Sequence, residues 1–426
     1  MKSHKKILSF ILVMTLLLSL TACAGAPADG YLGSYKDSIA SGEAAEEDVA
    51  PDGNAPTKSA VTLPAGMITA GAWNDNDNYT MWQELFCQTP GETEPGKFHK
   101  YTDDSNDWDL NSIKRVKVTV TNGEQAVAGA KVTAIDSNGN AVFSAISNAN
   151  GEAYLFTTED AGSVHVSSGS ASAEAAFTAE QKDLSVVLDG AAEKRNVIEL
   201  MFVVDVTGSM GDELHFLKAE LADVISKIAQ NDTQATIKLA LLFYRDTDDQ
   251  VPFDYYDFVD VTTQSGMQKQ QAALDSQQPD GGGDYPEAVD AALEMAVGKQ
   301  WSTGVTTKLI FHVLDAPAHE EAKHQEKFKS AVLSAAEKGI RISPIICSGA
   351  AELTEYTMRQ AAIYTGGTFI FVTNDSGIGN DHHDPGLPNA TVELLNSMLV
   401  RLVKGYHTGQ FDAPIYWKDD PALNTQ

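Results

Sequence analysis

The sequence predicts a doubly wound α/β fold with a mainly parallel sheet, joined to a smaller all-β sandwich. Between residues 196 and 406, near-continuous apolar runs at 197–204, 237–243, 309–314, 342–347 and 368–372 alternate with helical patterns at 212–229, 286–297, 322–338, 352–364 and 390–405. Strands that are apolar on both faces need helices on both sides, which is the condition of a buried parallel sheet. Between 112 and 190 the pattern changes to short stretches of alternating apolar and polar residues, separated by Gly- and Asn-containing turns. Short strands at that spacing make a sandwich. The first helical pattern supports the layered reading, because Leu214, Leu217, Leu221, Val224 or Ile225, and Ile228 fall on one face.

In chain order, Lys2, Lys5 and Lys6 precede an apolar run from Ile7 to Leu20, followed by small residues. A basic start, a short apolar core and a small-residue cleavage site predict a secretory signal peptide over 1–22. The run is short of the roughly 20 apolar residues that a bilayer-spanning helix needs. Leu20-Thr21-Ala22-Cys23 resembles a bacterial lipobox. That resemblance implies cleavage before Cys23, a lipid on its sulfur, and an extracytoplasmic protein held to the bacterial cell membrane by the lipid anchor alone. Residues 24–63, with "SGEAAEEDVAPDGNAP" among them, have almost nothing apolar to bury and read as a disordered acidic tether. The whole chain of 426 residues carries a formal charge of −29, and losing residues 1–22 removes three lysines and no acid, taking it to −32. Such a field repels nucleic acid and anionic membrane and attracts cations.

Residues 64–111 form an aromatic-rich segment with Trp73, Tyr79, Trp82, Phe86, Phe98, Tyr101 and Trp108. It is too small for a core of its own and is expected to pack on a neighbour. Met81, Trp82, Leu85 and Phe86 have helical spacing. The preceding "NDNDN" reads as a capping turn, since no register supplies both the Gly and the Glu of a calcium loop. The strands of 112–190 are "KRVKVTVT", "AKVTAID", "AVFSAI", "EAYLF", "SVHVSS" and "LSVVL". The stretch from "VTNGEQAVAGAKVTAID" to "EAYLF" resembles carboxypeptidase regulatory-like, transthyretin-like sandwiches, which implies a spacer or binding scaffold. Cys347 ends an apolar strand and reads as a small buried hydrophobe, while pairing with Cys87 stays open. A tail, 407–426, follows the last helix.

Ligands of open α/β sheets bind beyond the carboxyl ends of the strands. Four loops at that edge carry acids. "FVVDVTGSMGDELHFL" places Asp205, Thr207 and Ser209 after the first strand, "LLFYRDTDD" places Asp246, "PDGGGDYPEAV" places Asp284 and Glu287, and "LIFHVLDAPAH" places Asp315 and His319. Carboxylates from separate segments on one rim repel each other unless a cation lies among them. Hard oxygen donors select magnesium, manganese or calcium over zinc or copper. Asp212 and Glu213 read either as acids favoured by the dipole of the following helix or as ligands of a further ion.

Asp205-Val206-Thr207-Gly208-Ser209 matches the Asp-x-Ser/Thr-x-Ser motif of von Willebrand factor type A domains. "GGGDYPEA" and "LDAPAH" resemble the second and third metal loops of the bacterial and hemicentin-like branch and of integrin beta I-like domains. The resemblance covers most of 196–406 and implies a metal-ion-dependent adhesion site. Thr207 and Ser209 would be direct hydroxyl ligands, Asp205 and Asp315 would act directly or through water, and Glu287 or Asp284 would complete the set. It further implies Mg2+, with Mn2+ or Ca2+ as substitutes, and a protein or peptide ligand whose Asp or Glu carboxylate completes the coordination. Asp212, Glu213 and Asp246 are candidates for the extra sites of the integrin beta relatives, together with Asp284 and Glu287.

Two rival functions start from the same residues. Thr207-Gly208-Ser209-Met210-Gly211 is one residue from the Gly-x-Ser-x-Gly elbow of serine hydrolases, with Asp315 and His382 or His383 in triad order. Thr207 stands where the elbow wants a small residue, and the elbow leaves Asp205 and the glycine-rich acidic loop without a role. The other rival is a passive envelope-assembly protein whose cation only stiffens the loops. His382-His383 lies in a Gly/Asp/Pro-rich stretch without further His or Cys and reads as part of a solvated loop. The expectation is therefore a non-enzymatic, metal-dependent binding protein on the cell surface.

Overall fold

The computed structural model describes residues 65–87, 95–102, 108, 110–189, 195–230, 235–283 and 285–425, without the side chains of Asp212, Asn424 and Thr425. The signal peptide, Cys23 and the acidic tether lie outside the described residues.

Before the sandwich come β1 (Thr69–Trp73) and α1 (Tyr79–Glu84). The sandwich strands are β2 (Arg115–Thr121), β3 (Lys131–Ile135), β4 (Ala141–Ile146), β5 (Glu152–Phe156), β6 (Gly162–Ser168), β7 (Ala171–Phe177) and β8 (Asp183–Val187). The α/β part runs β9 (Val197–Asp205), α2 (Leu214–Ala229), β10 (Thr236–Tyr244), β11 (Phe253–Asp260), α3 (Gln264–Ser276), α4 (Val289–Gly298) and β12 (Thr307–Leu314). It continues through α5 (Ala322–Lys338), β13 (Ile340–Ile346), α6 (Glu352–Thr365), β14 (Phe369–Val372), β15 (Val392–Leu394) and α7 (Leu395–Thr408).

Eight strands form one sheet in the order β11-β10-β9-β12-β13-β14-β1-β15. From β10 to β14 neighbouring strands are parallel, and β11 closes one edge antiparallel to β10. Alternate residues of β9 face opposite cores. Met201 and Val203 pack with α4, α5 and α6, whereas Leu200, Phe202 and Val204 pack with α2, α3 and α7. That two-sided burial is why the strand reads as a continuous apolar run, and it makes the fold doubly wound as expected.

The sandwich consists of a three-stranded sheet, β5-β2-β8, and a four-stranded sheet, β4-β3-β6-β7. In β2 the inward residues Val116, Val118 and Val120 are buried while their neighbours are partly exposed. Its core continues into the helices of the larger sheet. Phe156 stacks on Tyr364 of α6 with centroids 4.3 Å apart, and Phe143 meets the same ring edge-on at 5.5 Å.

The aromatic segment has no core of its own. Trp82, Phe86, Phe98 and Tyr101 gather on one another and on Tyr356 of α6. Its first strand goes further than packing. β1 lies between β14 and β15, antiparallel to both, so this segment is part of the large sheet and the sandwich is an insertion between β1 and β9. The capping reading of "NDNDN" changes as well. Asn78 makes no side-chain cap to α1; Asn74 Oδ1 accepts from the Asn76 and Asp77 amides instead. Asp75 pairs with the buried Arg359. Cys87 and Cys347 are not joined by a disulfide. Among the described residues no helix is long and apolar enough to cross a membrane.

Candidate metal centre

Parallel register brings the acids to one rim. Tyr244 lies beside Asp205 and Val313 beside Val204, so Asp205, Asp246 and Asp315 follow the carboxyl ends of β9, β10 and β12 at the same level. The glycine-rich loop is sewn to the first of these turns: Gly208 N–H donates to the Gly281 carbonyl, and Asp280 N–H to the Val206 carbonyl, both at 3.1 Å. It is equally sewn to the third, since Glu287 N–H donates to the Pro317 carbonyl at 3.0 Å and Glu287 bridges Ala318.

Backbone freedom at one glycine lets the second loop reach in. Gly282 has φ +71°, and a Cβ there would stand 2.6 Å from Glu287 Oε1 and 3.0 Å from Thr207 Cβ. Only glycine lets the Glu287 carboxylate and the Thr207 side chain share that space. Within the first loop, Asp205 Oδ1 accepts from Thr207 N–H at 2.9 Å and Thr207 Oγ1 at 2.7 Å. Thr207 Oγ1 and Ser209 Oγ are 3.1 Å apart, with Thr207 buried and Ser209 exposed at the mouth.

The chain provides these acids with too few partners. Asp205, Glu287 and Asp315 are all buried, and Asp205 Oδ2 and Glu287 Oε2 have no hydrogen-bond partner. Burial, followed by the charge of Asp315, pushes the Asp205 carboxyl up to about 7 against the hydrogen bonds from Thr207 and the Tyr244 hydroxyl. Burial and then the charges of Asp205, Asp246, Asp315 and Asp249 push Glu287 up to about 9. Nearby bases do not relieve this. His312 is fully buried and pushed down to about 3 by burial, hence neutral, 3.2 Å from the Tyr244 hydroxyl. Arg245 donates to the carbonyls of Asp280, Val251 and Gln278. His319 stands 2.9 Å from Asp246 Oδ1.

Orphaned carboxylate oxygens beside two hydroxyls fit a hard divalent cation. Among the described residues no three His, Cys, Asp or Glu side chains converge as ligands, so the fit rests on the mixture of hydroxyls and carboxylates. Thr207, Ser209, Asp205, Glu287 and Asp315 occupy this rim. Asp284 and the Asp212 side chain lie outside the described residues. The sequence reading did not single out Asp249, whose Oδ2 accepts from the Gly282 and Asp246 amides at 2.9 and 3.1 Å and ties the second loop to the β10 loop. Its place in "YRDTDD" was the available signal.

Glu213 stands at the amino-terminal end of α2, where the dipole reading puts an acid, but its side chain is turned to other partners. It occupies the N-cap position of α2 without a side-chain cap, and its carboxylate instead accepts from Ser348 N–H at 3.1 Å and lies 2.7 Å from His382 Nε2. The stretch read as a solvated loop is thus fastened at both histidines, because His383 Nε2 lies 2.6 Å from the buried Glu355. Both rings are engaged away from Ser209, whose hydroxyl pairs with Thr207, and a Ser209–histidine dyad is not assembled among the described residues.

Residues 199–374 match the family model of the von Willebrand factor A domain. The match begins inside β9 and ends just after β14, leaving β1, the sandwich, β15 and α7 outside it. No match is found among curated proteins. Among solved structures, the conserved hypothetical protein BatB from Bacteroides thetaiotaomicron is 18% identical, covering 40% of this chain and 87% of its own, with a TM-score of 0.29. The pilus adhesin SpaC from Lactobacillus rhamnosus GG is 10% identical over 66% of this chain and 34% of its own, with a TM-score of 0.35. An aerotolerance-related membrane protein from Bacteroides fragilis NCTC 9343 is 16% identical over 54% and 97%, with a TM-score of 0.26. Similarity at this level carries no statement about what this chain binds.

Proposed function

We propose that the rim formed by Asp205, Thr207, Ser209, Glu287 and Asp315 holds a divalent cation, Mg2+ with Mn2+ or Ca2+ as substitutes, and binds a protein or peptide ligand there through an Asp or Glu carboxylate. The reading includes the extracytoplasmic, lipid-anchored placement implied by Cys23, and a binding rather than enzymatic role. One observation carries it: two buried carboxylate oxygens, Asp205 Oδ2 and Glu287 Oε2, come from different loops and have no partner. Leaving such atoms unsatisfied costs about 1–3 kcal/mol each, and more when charged, so an external cation is the natural complement.

A bound divalent ion with neutral hydroxyl donors stays electrophilic and accepts a further carboxylate. The chain's own part is positional. Asp205 orients the Thr207 hydroxyl, Gly282 lets Glu287 approach it, and Ser209 presents its hydroxyl at the open side. The hydrolase alternative is less well supported, because His382 and His383 pair with Glu213 and Glu355 and neither is hydrogen-bonded to Ser209, whose hydroxyl meets Thr207.

Titration calorimetry with MgCl2 or MnCl2 tests the proposal. Wild type takes up one ion at the rim, and Asp205→Ala loses that uptake while keeping its circular dichroism spectrum. Equal metal affinity in the two proteins overturns the reading. A pull-down from cell-envelope extract whose partners are unchanged by EDTA assigns the ion to loop stiffening instead.

A further inference from the structure

At the opposite end of the sheet the charge reverses. A cleft of about 770 Å3 opens between the sandwich and the amino-terminal edge of the large sheet. Its walls carry six cations, Lys131, Arg195, Lys299, Lys308, Lys338 and Arg341, against one acid, Glu337. Lys308 and Arg341 are the second residues of β12 and β13, whereas Asp205 and Asp315 stand at or beyond the carboxyl ends of their strands. In a chain of charge −29 this concentration runs against the overall composition.

Only Lys131 is paired with that acid, 2.8 Å from Glu337. Among the described residues the other five have no carboxylate within ion-pair distance, and Arg341 is nevertheless buried. The two arginines share Tyr406: Arg195 Nη1 donates to its carbonyl at 3.3 Å, and the Arg341 guanidinium lies 5.7 Å from its ring. Burial and then the charge of Arg341 pull Arg195 down to about 10.

Helix ends account for part of this. Lys308 Nζ donates to the Lys338 carbonyl at the end of α5, Lys338 Nζ to the Val297 carbonyl near the end of α4, and Arg195 to the last turn of α7. Each helix C-terminus supplies roughly half a negative charge, so three offset about one and a half of the five unpaired cations. Of the six cations only Lys131, through Glu337, makes an ion pair between the two parts, and the aromatic stacking of Phe156 on Tyr364 also makes that junction. Glu199, beside Lys308 in the β9–β12 ladder, offsets a further part, and the remaining surplus has no counter-charge among the described residues.

We propose that this cleft binds a multiply charged oxyanion of the phosphate class. Two guanidinium groups offer planar forks suited to phosphate oxygens, and the hydroxyls of Ser167, Ser168 and Thr303 line the same walls. The site is separate from the metal rim and stands or falls independently of it.

The experiment is calorimetric titration of the EDTA-treated full chain with inorganic pyrophosphate and with citrate, at low and high NaCl. Pyrophosphate binds, more weakly as salt rises, and more tightly than citrate. Arg195→Gln/Lys308→Met weakens it by about tenfold or more, the scale of a lost charge-assisted contact. Lys404→Gln, a cation outside the cleft, leaves it unchanged. Equal thermal melting of the double variant and wild type keeps loss of fold apart from loss of binding; if the double variant melts early, Lys338→Gln replaces it. Absence of pyrophosphate binding at millimolar concentration, or undiminished binding by a folded variant, overturns the proposal. Citrate binding as tightly as pyrophosphate overturns the assignment to phosphate.

Discussion

The carboxylates around Arg359 and those around Thr207 are comparably buried, yet only the first group carries its own cations. Arg359 donates to Asp75 Oδ2 at 3.0 Å and to Glu355 Oε1 at 2.9 Å, and Lys97 and His383 each lie 2.6 Å from Glu355 Oε2. Burial pushes Glu355 up, but the hydrogen bond from His383 and the charges of Arg359 and Lys97 outweigh it and hold the carboxyl below its ordinary range. Across the rim, Asp205 and Glu287 stand at about 7 and about 9 because burial, then the charge of Asp315 on Asp205 and those of Asp205 and its neighbours on Glu287, go unopposed by any such base. An acid cluster that supplies its own counter-charge holds a fold together. One that does not leaves room for the cation proposed above.

The sharpest way to break this contrast is to remove the internal cation. Arg359→Met leaves Asp75 and Glu355 buried without their common partner and is expected to cost about 3–5 kcal/mol in urea unfolding. Asp205→Asn in the metal-free protein should leave stability unchanged or raise it, since it removes one of the repelling charges. If both variants lose stability alike, the two clusters are not different in kind.

Next in size is the pH dependence. In the folded, metal-free chain Asp205 and Glu287 keep protons that the unfolded chain releases near 3.8 and 4.5. The native state then binds the extra protons, so stability falls as pH rises from about 4 toward 7 for Asp205 and toward 9 for Glu287, by a few kcal/mol in all. Glu355 has the opposite sign, its contribution being present above 4.5 and lost as pH falls below its depressed value. Melting in EDTA at pH 5.5 and pH 8.5 should therefore favour the lower pH, and saturating Mg2+ should remove the difference. Identical melting temperatures in EDTA contradict this account.

Smaller effects sharpen the comparison further. Gly282→Ala places a Cβ in a left-handed residue against Glu287 Oε1. It should cost about 1–2 kcal/mol and weaken Mg2+ uptake with every acid still present. His383→Gln should cost about 1 kcal/mol or less, because Glu355 retains Arg359 and Lys97. Chemical denaturation resolves the first, and a matched pair of melts the second.

The central strands were legible because each is apolar on both faces, a signal that needs no partner to read. β11 escaped notice because "FDYYDFVD" mixes acids with aromatics on a half-buried edge. Its follower α3 was hidden for a related reason, since a buried glutamine, Gln270, anchors it by donating to the Leu239 carbonyl at 2.7 Å. β1 is five residues, three of them alanine or glycine, whose register with β14 is set by tertiary pairing alone. Around the rim, spacing told which loops carry acids and hydroxyls, and parallel register explains why they meet. What spacing could not tell is which acids already have a partner. Glu213 and His382 are 169 residues apart, and nothing in a Gly/Asp/Pro-rich stretch announces that its histidine reaches across to a helix cap. The same holds for Asp75 and Arg359, separated by 284 residues.

The position of β1 also sets a mechanical route through the molecule. Tension arriving from the amino-terminal side first meets a clamp, the Glu220 carboxylate accepting the amides of Gly66, Met67 and Ile68 at 2.7–2.9 Å. Behind that clamp the strand is bonded on both flanks, to β14 and to β15, so a pull along its axis loads both ladders in shear instead of peeling one bond at a time. The force enters the same sheet whose far rim carries Asp205 and Asp315, and a ligand held there would pull against β1 through continuous β-structure rather than through the sandwich.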